Sequence, residues 1–169
     1  GNPGFEGYLL LPGTHSKWVR IAGSEVVAFS TYMSGELFAL LSKHSVLRHS
    51  VGGDGWDANA FKVSLRDSFV VPQKAIGGLF RLRAEGLLHG LTPDAARARL
   101  SGIVLGTELA AAREHWQTGP VVIIGAPGLG GRYAEAIVML GGKAEAADGE
   151  ELTLAGIVAA YRQLHGDAK

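Results

Sequence analysis

The feature that most constrains this chain is one short run, Pro120-Val-Val-Ile-Ile-Gly125. Four consecutive β-branched residues closed by a glycine make a poor helix, and an apolar run without alternation needs burial on both faces. Such a strand belongs inside a helix-covered sheet, which points to an α/β architecture with parallel strands. The residues that follow agree. A helix is expected over 131–140, then the break Gly141-Gly142, a strand over 143–147 and a last helix over 150–164. Strand, helix, strand, helix implies right-handed parallel crossovers.

The N-terminal part has a different grammar. Short apolar runs at 8–11, 17–21 and 25–31 are separated by Pro12-Gly13 and Ala22-Gly23-Ser24. β-branched and aromatic runs with glycine turns between them read as an antiparallel three-strand meander. Ser34 stands where an N-cap is expected, with Glu36 in the first turn, ahead of Leu37, Phe38, Leu40 and Leu41. Further helices are expected over 58–68 and 78–88. Thr92-Pro93-Asp94 supplies an N-cap, a proline at the first helical position and an acid in the first turn. The stripe Leu100, Ile103, Val104, Thr107, Ala111 continues from it at helical spacing. Gly102 and Gly106 lower that helix's stability, so they point to another element packed close against it. The whole reads as one α/β domain, with helices inserted between the meander and the second strand pair.

Composition narrows the function classes. Lys plus Arg equals Asp plus Glu at 16 each, so no chain-wide basic field marks a nucleic-acid or anionic-membrane partner. There is no cysteine, hence no disulfide framework and no thiolate metal site. The six histidines (15, 44, 49, 89, 115 and 165) form no His-Glu-x-x-His pair. The apolar runs are too short to span a bilayer, and the opening Gly1-Asn2-Pro3-Gly4 lacks the zones of a signal peptide. A soluble cytoplasmic protein is the default expectation, and a homo-oligomer is compatible with it.

Two glycine-bearing turns carry chemistry. In Gly125-Ala126-Pro127-Gly128-Leu129-Gly130-Gly131 a buried strand ends, a loop follows, and a helix opens beside Arg132 and Tyr133. Backbone N–H groups at such a helix start favour an anion, and missing side chains let a phosphate or a flat base approach. A tight strand-to-helix turn without a ligand is the plain alternative. A dinucleotide fold is a rival, with Asp148 offered to a ribose, making the chain a piece of an NAD-binding oxidoreductase. That fold opens with this unit and needs several strands afterwards, whereas only one strand and one helix remain. In the earlier turn, Gly13-Thr14-His15-Ser16 followed by Lys17 offers two hydroxyls, an imidazole, backbone donors and a cation. A hairpin tip with that inventory can cradle a polyphosphate, or can simply bond its own backbone.

The segments Leu11-Pro12-Gly13-Thr14-His15-Ser16-Lys17-Trp18-Val19 and Phe29-x-Thr31-x-Met33-Ser34-Gly35-Glu36-Leu37-Phe38-Ala39-Leu40-Leu41 closely resemble 2-dehydro-3-deoxygalactonokinases. So do Gly102-Ile-Val-Leu-Gly106-Thr107-Glu108-Leu109 and Ile124-Gly125-Ala126-Pro127. The resemblance implies an actin-like ATPase, ribonuclease H-like fold of two related halves, of which this chain is the second, nucleotide-binding half. It implies ATP, a magnesium ion and a 2-keto-3-deoxy sugar acid as partners. Gly13, Thr14, Ser16 and Lys17 are then expected to bind phosphate. Gly125, Ala126, Pro127, Gly128 and Tyr133, with Gly106 and Glu108, are expected around the nucleotide. The last helix, with Ala155 and Gly156, is expected at the hinge between halves. No residue is assigned as a metal ligand. The hairpin has no carboxylate, so His15 is the candidate to accept a proton or polarise the phosphate, unless the base lies on the other half. A non-catalytic nucleotide-binding module of the same superfamily is the alternative.

Overall fold

The structure, a computed structural model, describes residues 4–166. Five strands form one sheet: β1 (Gly7–Leu11), β2 (Ser16–Ala22), β3 (Glu25–Tyr32), β4 (Val121–Gly125) and β5 (Ala144–Asp148), in the order β3-β2-β1-β4-β5. β1, β2 and β3 pair antiparallel, while β4 runs parallel to β1, and β5 to β4. The turn between β2 and β3 holds Gly23 and Ser24 at φ of 59° and 65°. Two positive φ values suit the tight twist of a short hairpin. A sheet that opens with a three-strand antiparallel meander and has only β1, β4 and β5 parallel is not the doubly wound order of a dinucleotide fold, and Asp148 has another task. Its Oδ1 accepts the backbone N–H groups of Glu150 and Glu151 at 2.8 and 3.2 Å, capping the helix that follows.

Among the described residues seven α-helices complete the fold: α1 (Ser34–Lys43), α2 (Ala58–Val70), α3 (Ala75–Leu88), α4 (Pro93–Ala111), α5 (Arg113–Gln117), α6 (Pro127–Met139) and α7 (Gly149–His165). Thr92 caps α4 as expected, its Oγ1 accepting from the Ala95 N–H at 3.3 Å. α4 is buried along most of its length and joins two cores. One lies under the sheet, around Leu10, Trp18, Phe61, Leu65, Leu109, Trp116, Ile123 and Ile137. The other, around Leu47, Val51, Leu82, Leu100 and Val104, fills the space toward α1 and α3. Gly102 and Gly106 are where α2 comes close. A Cβ on Gly102 would lie 2.6 Å from the Phe61 carbonyl oxygen, and one on Gly106 would lie 2.4 Å from that of Leu65. α7 buries none of its residues and leaves Leu154, Ile157 and Tyr161 largely exposed. Among the described residues no helix is long and apolar enough to cross a membrane.

Besides α3, which opens at Ala75 three residues before 78, two helix starts differ from expectation. Ser34 is the first helical residue of α1, not its cap; the cap position is Met33, whose side chain bonds nothing. The helix end is satisfied from elsewhere in the fold, because the Glu36 N–H donates to the Thr14 carbonyl at 2.9 Å. The second case is α6, which opens at Pro127, four residues before 131. Ala126 is extended, as a residue before proline should be, and the Gly130 N–H closes the first turn on the Ala126 carbonyl at 2.8 Å. Gly128, Gly130 and Gly131 are therefore helical, and the loop shrinks to the Gly125-Ala126 junction.

Candidate nucleotide site

β1 and β4 are parallel neighbours, so both deliver their C-terminal ends to the same edge of the sheet. There the two glycine-bearing turns meet: a Cβ on Gly125 would lie 3.2 Å from Pro12 Cδ. The start of α7 joins them, since a Cβ on Gly149 would lie 3.4 Å from the Gly125 Cα. Ligand crevices in open α/β sheets form at such an edge. α1 closes one side. Gly35 sits so near the hairpin that a Cβ would come within 2.1 Å of the Gly13 carbonyl oxygen, so only glycine permits this docking. The result is a cavity of about 300 Å³. Gly13 and Thr14 line it from the hairpin, Ser34, Gly35 and Phe38 from α1, Ser101 and Leu105 from α4, and Leu129, Arg132 and Tyr133 from α6.

The residues singled out from sequence divide into two groups. Thr14, His15 and Lys17 are exposed at and beside the hairpin tip, and Ala126, Pro127 and Gly128 are exposed at the start of α6. By strand alternation Lys17 leaves the sheet on the face opposite Ser16 and Trp18. His15 Nε2 meets Glu36 Oε2 at 2.6 Å, pairing the tip with the first turn of α1. Glu36, on its own a dipole-compensating acid, therefore also holds the His15 ring.

Ser16, Glu108 and Tyr133 form the second group, and their polar atoms are engaged with one another. Tyr133 Oη donates to Glu108 Oε2 at 2.7 Å, leaving the Ser16 hydroxyl, 2.9 Å away, to donate to Tyr133. Trp18 Nε1 donates to the other Glu108 oxygen at 2.9 Å. All four residues are buried. Burial, and then the Glu108 charge, push the Tyr133 hydroxyl far above its ordinary value, so it stays a proton donor to the carboxylate. The same two causes, in the same order, raise Tyr32. This chain ties β2 to α4 and α6 directly behind the cavity. The Ser16 hydroxyl and the Glu108 carboxylate are thus bound internally and do not project toward a ligand. Tyr133 offers the cavity its ring, not its hydroxyl. Gly106 faces α2, where it permits helix contact.

Sequence reasoning passed over Ser34, Gly35 and Arg132 as lining groups. A glycine in a helix's first turn was the signal for Gly35. For Arg132 the signal was its place beside the opening of the helix after β4. Among the described residues no three His, Asp or Glu side chains converge as a metal cage. Magnesium carried on nucleotide phosphates takes one or two carboxylates besides water, and no carboxylate lines this cavity, so a protein ligand for it would have to come from outside the lining.

An α/β domain with a five-stranded mixed sheet and a largely apolar crevice beside the C-terminal ends of β1 and β4 is what the geometry defines. The sequence matches the 2-keto-3-deoxy-galactonokinase family over residues 1–160, and the chain belongs to that family. A probable 2-dehydro-3-deoxygalactonokinase of Rhizobium meliloti is 40% identical over 158 residues, covering 91% of this chain and 52% of that protein. A 2-dehydro-3-deoxygalactonokinase of Escherichia coli is 30% identical over 149 residues, covering 88% and 51%. A crystal structure of a Sinorhizobium meliloti protein, provisionally named a 2-dehydro-3-deoxygalactonokinase, superposes with a TM-score of 0.91 at 37% identity. That match covers 96% of this chain and 56% of the other. The chain spans about half the length of the curated relatives it matches.

Proposed function

We propose that the full-length protein uses ATP to phosphorylate 2-dehydro-3-deoxy-D-galactonate at its terminal hydroxyl, in the cytoplasm. In this reading the chain is the second half of a two-half, ribonuclease H-like (actin-like ATPase) kinase and supplies most of the nucleotide site. Family membership supports the reading, as does an antiparallel meander leading into parallel strands. The observation that carries it is the meeting of the 12–15 hairpin with the start of α6 across the Pro12–Gly125 contact.

Phosphates lying at that junction face Gly13 and Thr14 on one side. On the other they face the free first-turn N–H groups of α6, where the helix dipole favours an anion. Lys17 adds charge beside the hairpin and Arg132 adds it from α6. Gly125, Ala126, Pro127 and Gly128 form the turn against which the nucleoside rests. Ser16, Glu108 and Tyr133 brace this arrangement from behind, and Gly106 sets the distance at which α4 stands.

Phosphoryl transfer is mostly positioning and charge stabilisation, with one proton to remove from the attacking hydroxyl. A magnesium ion bound to the phosphates would supply further charge neutralisation. With its Nε2–H donating to Glu36, His15 keeps Nδ1 as an acceptor. His15 is the proposed proton acceptor, and Glu36 its positioning residue. The other half is proposed to bring the sugar acid to this edge.

Coupled ADP release by the full-length enzyme with this sugar acid tests the activity. Nucleotide binding without turnover of it or of related sugar acids would sink the kinase reading. His15→Ala should lower kcat about 10²–10⁴-fold at unchanged ATP affinity. Unchanged turnover would remove His15 while leaving the kinase intact.

A further inference from the structure

Beside the hairpin cavity lies a larger one of about 530 Å³, within the roughly 300–1,000 Å³ of small-molecule sites. The two share Phe38 and Arg132. One wall is the loop over 51–55, which Asp94 ties to α4. Asp94 in the first turn of α4 accepts the Gly55 N–H at 2.9 Å, and its carboxylate fills the space where a Cβ on Gly53 or Gly55 would sit.

Three cations from three helices line this space: Lys43 at the end of α1, Arg97 of α4 and Arg132 of α6. Both guanidiniums lie on aromatic faces. Arg132 Cζ is 4.0 Å from the centre of the Trp56 ring, and Arg97 Cζ is 5.2 Å from that of Phe38. Stacking fixes the plane of a guanidinium and leaves its in-plane N–H donors available. Among the described residues none of the three cations forms an ion pair. The carboxylate in the lining is that of Asp54, on the exposed part of the loop. Burial, and then the charge of Arg97, hold Arg132 below its ordinary value, so the two arginines are close enough to repel.

Like charges gathered in a half-buried space destabilise a fold unless an anion comes between them. The chain elsewhere neutralises a close pair of arginines itself. The cavity between α2 and α3 is also basic, but its Arg81 and Arg99 are both paired with Glu85, whose carboxyl the Arg99 hydrogen bond draws below the usual range. No such acid serves Arg97 and Arg132. Donors arriving from three directions match a tetrahedral, multiply charged group better than a planar carboxylate.

We propose that this second cavity is an anion site for a phosphate group, gripped by Arg97 and Arg132 with Lys43 at its mouth. The phosphates of a nucleotide reaching across from the hairpin cavity, or those of a separate phosphorylated compound, would present the same chemistry. The proposal does not rest on the kinase reading, because inorganic pyrophosphate alone is the probe.

Calorimetric titration of pyrophosphate into the full chain at low salt, with and without saturating ATP, tests it. Wild type should bind. Arg97→Gln, which changes this cavity and not the hairpin one, should weaken binding about 10-fold, the loss of one charge-assisted contact, and Arg132→Gln, at the wall the two cavities share, should do the same. Lys43→Gln should weaken it about 3-fold, as an exposed cation would. Lys43 lies on the exposed side of α1, so this variant keeps the test decisive should an arginine variant fail to fold. Displacement of pyrophosphate by ATP assigns the site to the nucleotide's own phosphates, and simultaneous binding assigns it to a separate phosphorylated ligand. No binding, or binding unchanged in folded Arg97→Gln and Lys43→Gln and therefore belonging to the hairpin, overturns the proposal.

Discussion

Gly106→Ala is the substitution for which local propensity and packing disagree most sharply. On propensity, alanine in a helix interior gains about 1 kcal/mol over glycine. Packing opposes it. The new Cβ would lie 2.4 Å from the Leu65 carbonyl oxygen and 3.0 Å from Ser68 Cβ, and ordinary contact begins near 3.4 Å. The nearer obstacle is the backbone of α2, so no rotamer change relieves it, and α2 must retreat by about 1 Å. A gap of that size forfeits a quarter to a half of each dispersion contact across it. The contacts at risk are those of Phe61 and Leu65 with the sheet-side core. Overpacking typically costs about 1–3 kcal/mol, and a backbone obstacle puts this case at or above the upper end. The expected net loss is about 2 kcal/mol, or a fall of roughly 4–8 °C in Tm for a chain of this size. Gly77→Ala in α3 is the matched control. Nothing lies within 4 Å of its added Cβ, so it should gain up to about 1 kcal/mol. Urea midpoints and thermal melts followed by circular dichroism read both. Gly106→Ala as stable as wild type would refute the claim that this contact sets the α2–α4 distance.

Two further predictions concern the site and its surroundings. Gly35→Ala places a Cβ 2.1 Å from the Gly13 carbonyl and should push α1 off the hairpin, lowering ATP affinity about 10-fold or more by calorimetry. His115 stacks on Tyr8 with ring centroids 4.8 Å apart, its Nδ1 has no hydrogen-bond partner, and burial lowers its pKa, with Glu114 partly offsetting the shift. The unfolded chain therefore takes the proton first. Stability from this residue is complete above the unfolded value of 6.5 and is lost as pH falls toward the lower folded value. His115→Phe should flatten that part of the stability–pH curve, and an unchanged slope would contradict the assignment.

Much of the fold was legible because its signals are local. The three meander strands, the β4 run and the Thr92-Pro93 helix start each declare themselves within a few residues. Gly102 and Gly106 went further: two glycines on one helix face forecast a close neighbour, and α2 is that neighbour. The start of α6 was misplaced because glycine's low helix propensity weighed against a proline at the first helical position, and the proline prevailed. Ser34 has the residue type of a cap, yet a carbonyl 20 residues earlier in the chain, that of Thr14, serves the helix end. No local pattern announces such a partner.

The candidate site was legible in position and less so in role. The hairpin and the β4–α6 turn were recognised separately, and the parallel β1–β4 pairing brings them together. What the residue types could not convey is which polar groups remain available. Ser16, Glu108 and Tyr133 have side chains that could serve a nucleotide, and strand alternation and helix phase turn all three inward onto one another. Their separation in sequence, 117 residues between Ser16 and Tyr133 and 90 between Trp18 and Glu108, is why the chain of bonds is invisible before folding. The physical consequence bears on function. A buried carboxylate held only by neutral donors is stable while every donor stays in place, so the network penalises any shift of β2 relative to α4 and α6. The hairpin tip is carried by β2, and the opposite wall of the cavity by α4 and α6. Rigidity behind the site, with Thr14 and the Glu36-held His15 exposed at the hairpin tip, is the division of labour that the proposed catalysis by positioning would require.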